Sequence, residues 1–313
     1  MTELLERFCA GERRALAKVI TIIENNLPGK NELLSRIYPR AGKAFVVGVT
    51  GAPGAGKSSL LDRLTEVIRR RGLTVGVVAV DPTSPFTGGA ILGDRIRMQQ
   101  HTMDKGVFVR SLATRGSLGG LARSAKEVIT ALDAFGIDVI LVETVGVGQS
   151  EVDIMKISNA TLVVLTPAGG DGVQAIKAGI MEIADIFVVN KCDLPNAEKT
   201  VREINGMLDM DNWAGVWRPP VLATNTLTNT GIDKLWQTLE YFREYQKSTG
   251  LMAEARKAKL RSDLLEILEN EIRLKVQKGL LDNGRLDQEL AEVLEGADPY
   301  TMAGKLLKDI LAH

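Results

Sequence analysis

The stretch from residue 45 to residue 60, FVVGVTGAPGAGKSSL, constrains the fold of this chain more than any other. An apolar run of β-forming residues, 45–49, leads into a glycine-rich octapeptide, and the helical pattern 59–64 follows. The octapeptide has the spacing G-x-x-x-x-G-K-S, beginning at Gly51 and ending at Ser58. A strand, a glycine-rich loop and a helix in this order predict a loop that binds the phosphates of a nucleoside triphosphate.

The residue types in this loop suit phosphate chemistry. Its glycines allow successive backbone N–H groups to point at phosphate oxygens beside a helix N-terminus. Lys57 is expected to reach the β and γ phosphates, and the hydroxyl of Ser58 is expected to bind Mg²⁺. The predicted phosphate contacts are Gly51, Ala52, Pro53, Gly54, Ala55, Gly56, Lys57, Ser58 and Ser59.

Composition narrows the class of protein further. Lys plus Arg and Asp plus Glu number 39 each among 313 residues, so charge does not indicate a nucleic-acid or membrane partner. No apolar run reaches the roughly 18 to 20 residues that span a bilayer, and the N-terminus lacks a signal-peptide core, so a cytoplasmic protein is expected. Two cysteines and two histidines are too few for a disulfide framework, a His-based metal cluster or a Ser/His/Asp triad.

The order of predicted elements indicates an α/β fold. Apolar strand candidates at 74–80, 107–110, 138–143, 161–166, 186–190 and 221–224 alternate with helical patterns near 59–71, 91–103, 119–135, 172–183, 197–209 and 231–247. This alternation predicts a mostly parallel sheet with helices on both faces, in which ligands bind beyond the strand C-termini. We expect a helical extension over 1–42, a nucleotide-binding domain over 43–249 and a helical segment over 250–313. The apolar positions along that last segment favour a subunit contact about as much as internal packing.

A later strand ends in a motif that selects the base. Asn190, Lys191 and Asp193 belong to the sequence NKCD, which follows the strand IFVVN directly. A carboxylate at position 193 can accept hydrogen bonds from both N1–H and the exocyclic N2 amine of guanine, whereas adenine offers no matching pair of donors. The sequence therefore predicts GTP rather than ATP.

Acidic residues at two other strand ends predict a metal and switch region. Glu143 ends the strand DVILVE, where a carboxylate can bind Mg²⁺, and its length favours a contact through water. Gly146 in the loop that follows could turn its N–H toward the γ-phosphate. Asp81 ends the second strand and is expected to position water, while Asp94 is expected to contact Mg²⁺ directly. No role is assigned to Arg95, Arg97 or Gln149.

The segments VDPTSPFTGGAILGDRIRM, RGSLGG and ILVETVGVGQSE together resemble the MeaB/ArgK-type GTPases of the SIMIBI class. These proteins are chaperones of adenosylcobalamin-dependent methylmalonyl-CoA mutase and related acyl-CoA mutases. The resemblance covers roughly residues 40–250 and implies bound GTP or GDP, Mg²⁺, a mutase partner and a homodimer formed through the C-terminal helices. It also implies a switch over 167–177 that touches the mutase.

The resemblance extends to the proposed site residues, with one departure. It implies that Gly51 to Ser59 hold the phosphates, that Asp81, Asp94 and Glu143 form the magnesium and switch set, and that Asp193 reads guanine. We assign Lys57, Asp81, Asp94 and Glu143 to hydrolysis, and Ser58, Asp94 and Glu143 to the metal. The second guanine loop corresponds to Thr224, Asn225 and Thr226, where a Ser-Ala pair is usual. Asn225-Thr226 leaves a backbone N–H contact with the base possible.

Two other functions fit parts of this pattern. A P-loop kinase linked to amino-acid transport would need an acceptor pocket and a lid, and no insertion between the switch strands supplies them. A GTPase that assembles a metal centre, such as one delivering nickel, would need a His/Cys cluster that two of each residue cannot supply.

Overall fold

The computed structural model describes residues 1–81, 101, 103–113, 120–144, 150–167, 180–213, 216–281 and 285–312. By internal packing the chain divides into two units, Met1–Tyr245 and Gln246–His313.

The first unit contains seven strands and the helices that cover them. The strands are β1 Phe45–Gly51, β2 Val75–Asp81, β3 Val107–Ala113, β4 Val139–Thr144, β5 Ala160–Leu165, β6 Ile186–Val189 and β7 Val221–Ala223. The helices are α1 Thr2–Cys9, α2 Arg13–Glu24, α3 Lys30–Ile37, α4 Lys57–Arg70, α5 Gly120–Phe135, α6 Ser150–Ile157, α7 Ala197–Leu208 and α8 Ile232–Ser248, with 3₁₀ turns at Tyr38–Arg40 and Ile180–Ile183. The last three residues of α8 belong to the second unit.

The seven strands form one sheet in the order β3-β2-β4-β1-β5-β6-β7, and every neighbouring pair is parallel. In this register Val49 lies beside Glu143 and Gly51 lies beside Val164, so the C-terminal ends of β1, β4 and β5 meet. The chain winds outward in opposite directions from β1, which makes its C-terminal end a topological switch point. Such points are where open α/β sheets bind ligands.

Both faces of the sheet are buried, as its strand sequences require. On one face Val46, Val78 and Ile140 pack with the apolar sides of α1, α2, α3, α5 and α6. On the opposite face Val47, Val77 and Leu141 pack against α4 and α8, and Trp236 of α8 is almost completely buried there. A smaller cluster under α7 completes the core beside β6.

The three N-terminal helices are part of this core. Leu16, Val19 and Ile20 of α2 are fully buried in the cluster that contains α5. The Nζ atom of Lys30 lies 3.0 Å from a carboxylate oxygen of Glu127, and both side chains are nearly enclosed. Removing this segment would therefore expose the apolar side of α5 that it covers.

The second unit consists of helices in the part that the structure describes. They are α9 Leu251–Leu281, α10 Arg285–Leu294 and α11 Pro299–Ala312. Large apolar side chains remain exposed along α9: Leu260, Leu264, Leu265, Ile267, Leu268, Ile272 and Leu274 are each 43 to 59% exposed. None of the described helices is both long and apolar enough to cross a membrane.

The predicted parallel sheet and flanking helices are confirmed. All seven strand candidates are present, and most boundaries differ from the predicted ones by one to three residues, as fraying of element ends leads one to expect. The helices expected near 91–103 and 172–183 lie mostly outside the described residues.

Candidate functional site

The loop after β1 has the backbone that its glycines predict. Gly51 has φ +135°, and a Cβ there would lie 2.1 Å from the carbonyl oxygen of Val164. Gly56 has φ +86°, and a Cβ there would lie 2.4 Å from Nδ2 of Asn190. Any larger residue would therefore separate the loop from β5 or from the loop after β6.

Lys57 begins α4 and is only 6% exposed. Its Nζ atom donates to the carbonyl oxygens of Gly51, at 2.8 Å, and Ala52, at 3.1 Å. The ammonium group thus lies within the curve of the glycine-rich loop, at the N-terminal end of a helix. Both the lysine charge and the helix dipole favour an anion at this position.

Ser58 and Glu143 come together beside this lysine. The hydroxyl of Ser58 donates a 2.8 Å hydrogen bond to Oε1 of Glu143, and both residues are less than 10% exposed. At the ends of the same two strands, Thr144 Oγ1 donates to Thr50 Oγ1 at 3.2 Å. The side chains of Ser58 and Glu143 present oxygen atoms only, which is the ligand chemistry that Mg²⁺ prefers.

The loop after β6 is bonded to the phosphate loop. Asn190 is fully buried, and its Nδ2 donates to the carbonyl oxygen of Ala55 at 2.9 Å. The Nζ atom of Lys191 donates to the carbonyl oxygen of Gly54 at 2.9 Å. Lys191 has φ +57°, a left-handed conformation that turns the chain toward Asp193. The predicted base-reading loop and the predicted phosphate loop are therefore one connected structure.

Asp193 is exposed and has a side-chain partner that the sequence did not predict. Nδ2 of Asn225 donates to Oδ1 of Asp193 at 2.8 Å. The backbone N–H of Asn225 donates to the carbonyl oxygen of Thr230 at 3.0 Å. The sequence left a backbone contact with the base possible for Asn225-Thr226, and at Asn225 that contact would require this bond to be given up.

The sequence also did not predict a charged cluster that forms between α4 and His101. Asp62 and Glu66 lie one helical turn apart, and one ligand-type atom from each lies within 4.8 Å of a ring nitrogen of His101. Nε2 of His101 is 3.0 Å from Oδ1 of Asp62, and this close carboxylate raises the pKa of His101. Glu66 accepts a 2.8 Å hydrogen bond from Arg63. Arg63 and Glu66 are opposite charges in contact, and His101 adds a positive charge beside Asp62 when it is protonated, so the cluster is explained as a polar network that holds His101 against α4.

The structure brings together most of the residues that the sequence singled out. Gly51, Ala52, Pro53, Gly54, Ala55, Gly56, Lys57, Ser58, Ser59 and Glu143 lie at the C-terminal ends of β1 and β4, and Asn190, Lys191, Asp193, Thr224, Asn225 and Thr226 lie in the loops after β6 and β7. Asp81 is the last residue of β2, on the same edge. Asp94, Arg95, Arg97, Gly146, Gln149 and residues 168–177 lie outside the described residues.

Known proteins similar to this chain are GTPases, in agreement with a nucleotide site of this geometry. The family described as methylmalonyl Co-A mutase-associated GTPase MeaB matches residues 16–280. A relative from Pyrococcus abyssi is 49% identical over 313 residues, covering 99% of this chain and 96% of its own. The GTPase ArgK of Escherichia coli is 37% identical, covering 82% of this chain and 80% of its own.

A mammalian relative and a solved structure are similar as well. The mouse protein named methylmalonic aciduria type A homolog, mitochondrial, is 34% identical, and the match covers 79% of this chain and 64% of that protein. The crystal structure of a protein named LAO/AO transport system kinase is 30% identical in sequence, with a TM-score of 0.72, and the match covers 99% of this chain and 97% of that one.

The family match spans most of the chain, and its motifs form the connected site described above. This chain belongs to the MeaB family of methylmalonyl-CoA mutase-associated GTPases and is a GTP-hydrolysing P-loop enzyme.

Proposed function

We propose that this GTPase depends on Mg²⁺ and acts as a chaperone for an adenosylcobalamin-dependent acyl-CoA mutase of the methylmalonyl-CoA mutase type. In this role, nucleotide state would control cofactor loading and protection of the partner. The observation that carries the proposal is the bonding of the base-reading loop to the phosphate loop through Asn190 and Lys191. That bonding allows a single guanine nucleotide to contact both loops, and partner control requires such a link between nucleotide and loop conformation.

The residues beside the phosphate loop fit a magnesium ion. The hydroxyl of Ser58 and the carboxylate of Glu143 lie within 2.8 Å of each other, and both are hard oxygen ligands. We assign Ser58 and Glu143 to the ion, with Asp94 as a further ligand. When bound, Mg²⁺ would neutralise charge on the β and γ phosphates.

The protein's own groups would position the nucleotide for hydrolysis. Backbone N–H groups of the glycine-rich loop would bind the phosphate oxygens, and Lys57 would stabilise the charge that grows on the leaving oxygen. Asp81 would orient the attacking water, and the N–H of Gly146 would sense the γ-phosphate. Asp193 would accept two hydrogen bonds from guanine. No arginine from this chain is assigned to the transition state, so we expect slow hydrolysis that a partner accelerates.

The assignment of a mutase partner rests on similarity. The matching family is described as mutase-associated, and the 34% identical mouse protein carries the name of a methylmalonic aciduria homolog. The loop that begins after Pro167 is our candidate for the partner contact, because it follows β5 next to the strand that carries the phosphate loop.

The test is phosphate release from GTP with and without a purified methylmalonyl-CoA mutase. We expect the mutase to accelerate release and to co-elute with the GTPase in a manner that depends on the nucleotide. Lys57→Ala should remove the nucleotide dependence of co-elution. Unchanged rates together with no co-elution in either nucleotide state would refute the chaperone function and leave the GTPase activity intact.

A kinase remains the second candidate, since the 30% identical protein of known structure is named a transport system kinase. A kinase transfers the γ-phosphate to a protein or small-molecule acceptor rather than to water. Incubation with γ-labelled GTP and a cytosolic extract, followed by separation of free phosphate from labelled products, distinguishes the two. A labelled acceptor formed in proportion to GTP consumed would favour the kinase.

We also propose that the protein is a cytoplasmic homodimer. The exposed leucines and isoleucines of α9 support the dimer, because contiguous apolar surface of this kind usually marks an interface. Light scattering of the intact chain gives its mass directly. Replacing Leu264 and Leu268 with glutamate should halve that mass, and a monomeric native protein would contradict the assignment.

A further inference from the structure

Asn225 occupies the loop after β7 and is directed at the carboxylate assigned to guanine. It is 6% exposed, whereas Asp193 is exposed, so a nearly buried amide contacts an exposed carboxylate. The bond from Nδ2 of Asn225 to Oδ1 of Asp193 is 2.8 Å long. Hydrogen bonds to charged groups are among the stronger ones in proteins, which makes this contact able to fix the carboxylate.

The amide of Asn225 is itself held on its other side. Its Oδ1 accepts hydrogen bonds from the backbone N–H of Leu227, at 2.8 Å, and of Thr228, at 3.3 Å. These two donors determine which end of the amide faces Asp193, because only the oxygen can accept from them. The NH₂ group is thereby directed at the carboxylate.

The backbone around Asn225 is anchored to the sheet and to the neighbouring loop. Its N–H donates to Thr230, and the N–H of Cys192 donates to the carbonyl oxygen of Thr224. The hydroxyl of Thr224 donates to Oδ1 of Asn190 at 3.2 Å. The loops after β6 and β7 are thus bonded to each other just before Asp193.

We propose that Asn225 is a positioning residue for base selection, acting through Asp193 rather than by touching guanine. One Asp193 oxygen takes the bond from Asn225, and the carboxylate plane fixed in this way faces N1–H and the N2 amine of the base. Because Asn225 restricts the Asp193 carboxylate before the nucleotide binds, less conformational entropy is lost when guanine binds. This inference rests on the proposed guanine contact of Asp193.

Asn225→Asp is the sharpest variant, because it keeps the shape of the side chain and the acceptor for Leu227 and Thr228. It replaces the donor to Asp193 with a second carboxylate. We expect GDP affinity to fall about tenfold or more from the lost charge-assisted bond and the new repulsion. ADP affinity should not change, because adenine makes no use of Asp193.

The measurement is equilibrium binding of GDP and ADP to the full-length chain in the presence of Mg²⁺. The set comprises Asn225→Asp, Asn225→Ala, Asp193→Ala and the double variant Asp193→Ala/Asn225→Ala. Asn25→Asp, at the exposed C-terminal cap of α2, is the matched control for the chemical change, because this amide likewise donates a hydrogen bond, to the carbonyl oxygen of Thr21. Circular dichroism of each variant identifies any that fail to fold, and Asn225→Ala then replaces Asn225→Asp.

The inference predicts that Asn225→Ala lowers the GDP-to-ADP affinity ratio in the native background and has no further effect once Asp193 is alanine. If Asp193→Ala lowers the ratio and neither Asn225 variant does, the positioning role is overturned while the guanine assignment stands. If Asp193→Ala leaves the ratio unchanged, the guanine assignment fails and the positioning role fails with it. Equal losses of GDP and ADP binding in the Asn225 variants would also overturn the inference, because a general loosening of the loops has that signature.

Discussion

The hydroxyl of Ser58 lies 2.8 Å from Oε1 of Glu143, although the two residues are 85 positions apart in the chain. The parallel pairing of β1 and β4 produces this contact, since Val49 and Glu143 are register partners. The two residues are nearly enclosed, so their oxygens are positioned before any ligand binds. A site prepared in this way needs little reorganisation when charge develops during hydrolysis.

Replacing Glu143 with glutamine tests the proposed metal role. The amide oxygen can still accept from Ser58, so the fold should be kept while the negative charge is lost. We expect GTP hydrolysis at saturating nucleotide to fall about 10- to 100-fold, with a rise in the Mg²⁺ concentration needed for half-maximal rate. Phosphate release measured across a Mg²⁺ titration checks this. An unchanged rate and unchanged Mg²⁺ requirement would remove Glu143 from the metal set.

Replacing Lys57 with alanine tests the phosphate assignment. Its ammonium group is directed into the loop by the carbonyls of Gly51 and Ala52. We expect GTP affinity to fall by about 100-fold, because charge-assisted bonds to two phosphates are lost. Isothermal titration with GTP measures the change, and Lys199→Ala on the exposed side of α7 is the control. Native-like affinity in Lys57→Ala would contradict the assignment.

Asp185 makes stability depend on pH. It is partly buried before β6, and burial raises its pKa to about 7, although the N–H of Thr161 donates to its carboxylate at 2.7 Å. The folded state therefore binds a proton that the unfolded state releases near pH 4, and stability falls as pH rises from about 4 to about 7.

Asp185→Asn should flatten this dependence while keeping an acceptor for Thr161. At pH 8 we expect the free energy of unfolding of the variant to exceed that of the native protein by about 2 kcal/mol. A fully enclosed carboxyl with the same pKa shift would give roughly 4 kcal/mol, and the smaller value is expected because Asp185 is only partly buried. Urea unfolding at pH 5 and pH 8 gives both values. Equal pH dependence in the two proteins would refute the burial effect.

His101 adds a second dependence of the same sign at higher pH. The carboxylate of Asp62, 3.0 Å away, raises the pKa of His101 above its value in the unfolded chain, which is about 6.5. Its contribution to stability is complete below that pH and is lost as pH rises through the folded pKa.

His101→Gln should remove this loss, and His313→Gln, which removes the other histidine, should leave it in place. Thermal unfolding midpoints between pH 6 and pH 9 distinguish them. A native pH profile in His101→Gln would show that the contact with Asp62 does not stabilise the folded state.

The sheet and the phosphate loop could be predicted because their signals are local. The run from Phe45 to Ser58 contains a buried strand, the glycines that the turn needs and the lysine that begins α4. The NKCD motif is equally compact, and its position after β6 follows from the alternation of strands and helices.

Contacts between distant segments could not be predicted in the same way. Asn225 reaches Asp193 across 32 positions, and the orientation of its amide depends on backbone donors in its own loop. His101 and Asp62 belong to no recognisable sequence motif, and only the packing of the chain brings them together. Each contact depends on tertiary structure, which no local pattern in the sequence specifies.

The most direct test of guanine recognition at this site is the base preference of Asp193→Asn. Asparagine can donate to the C2 carbonyl of xanthine and accept from N1–H, but it cannot accept from both donors of guanine. Equilibrium competition among GDP, ADP and xanthosine diphosphate should show that the native protein prefers GDP and that Asp193→Asn prefers the xanthine nucleotide. A variant that still prefers GDP, or a native protein that binds ADP equally well, would contradict the site described here.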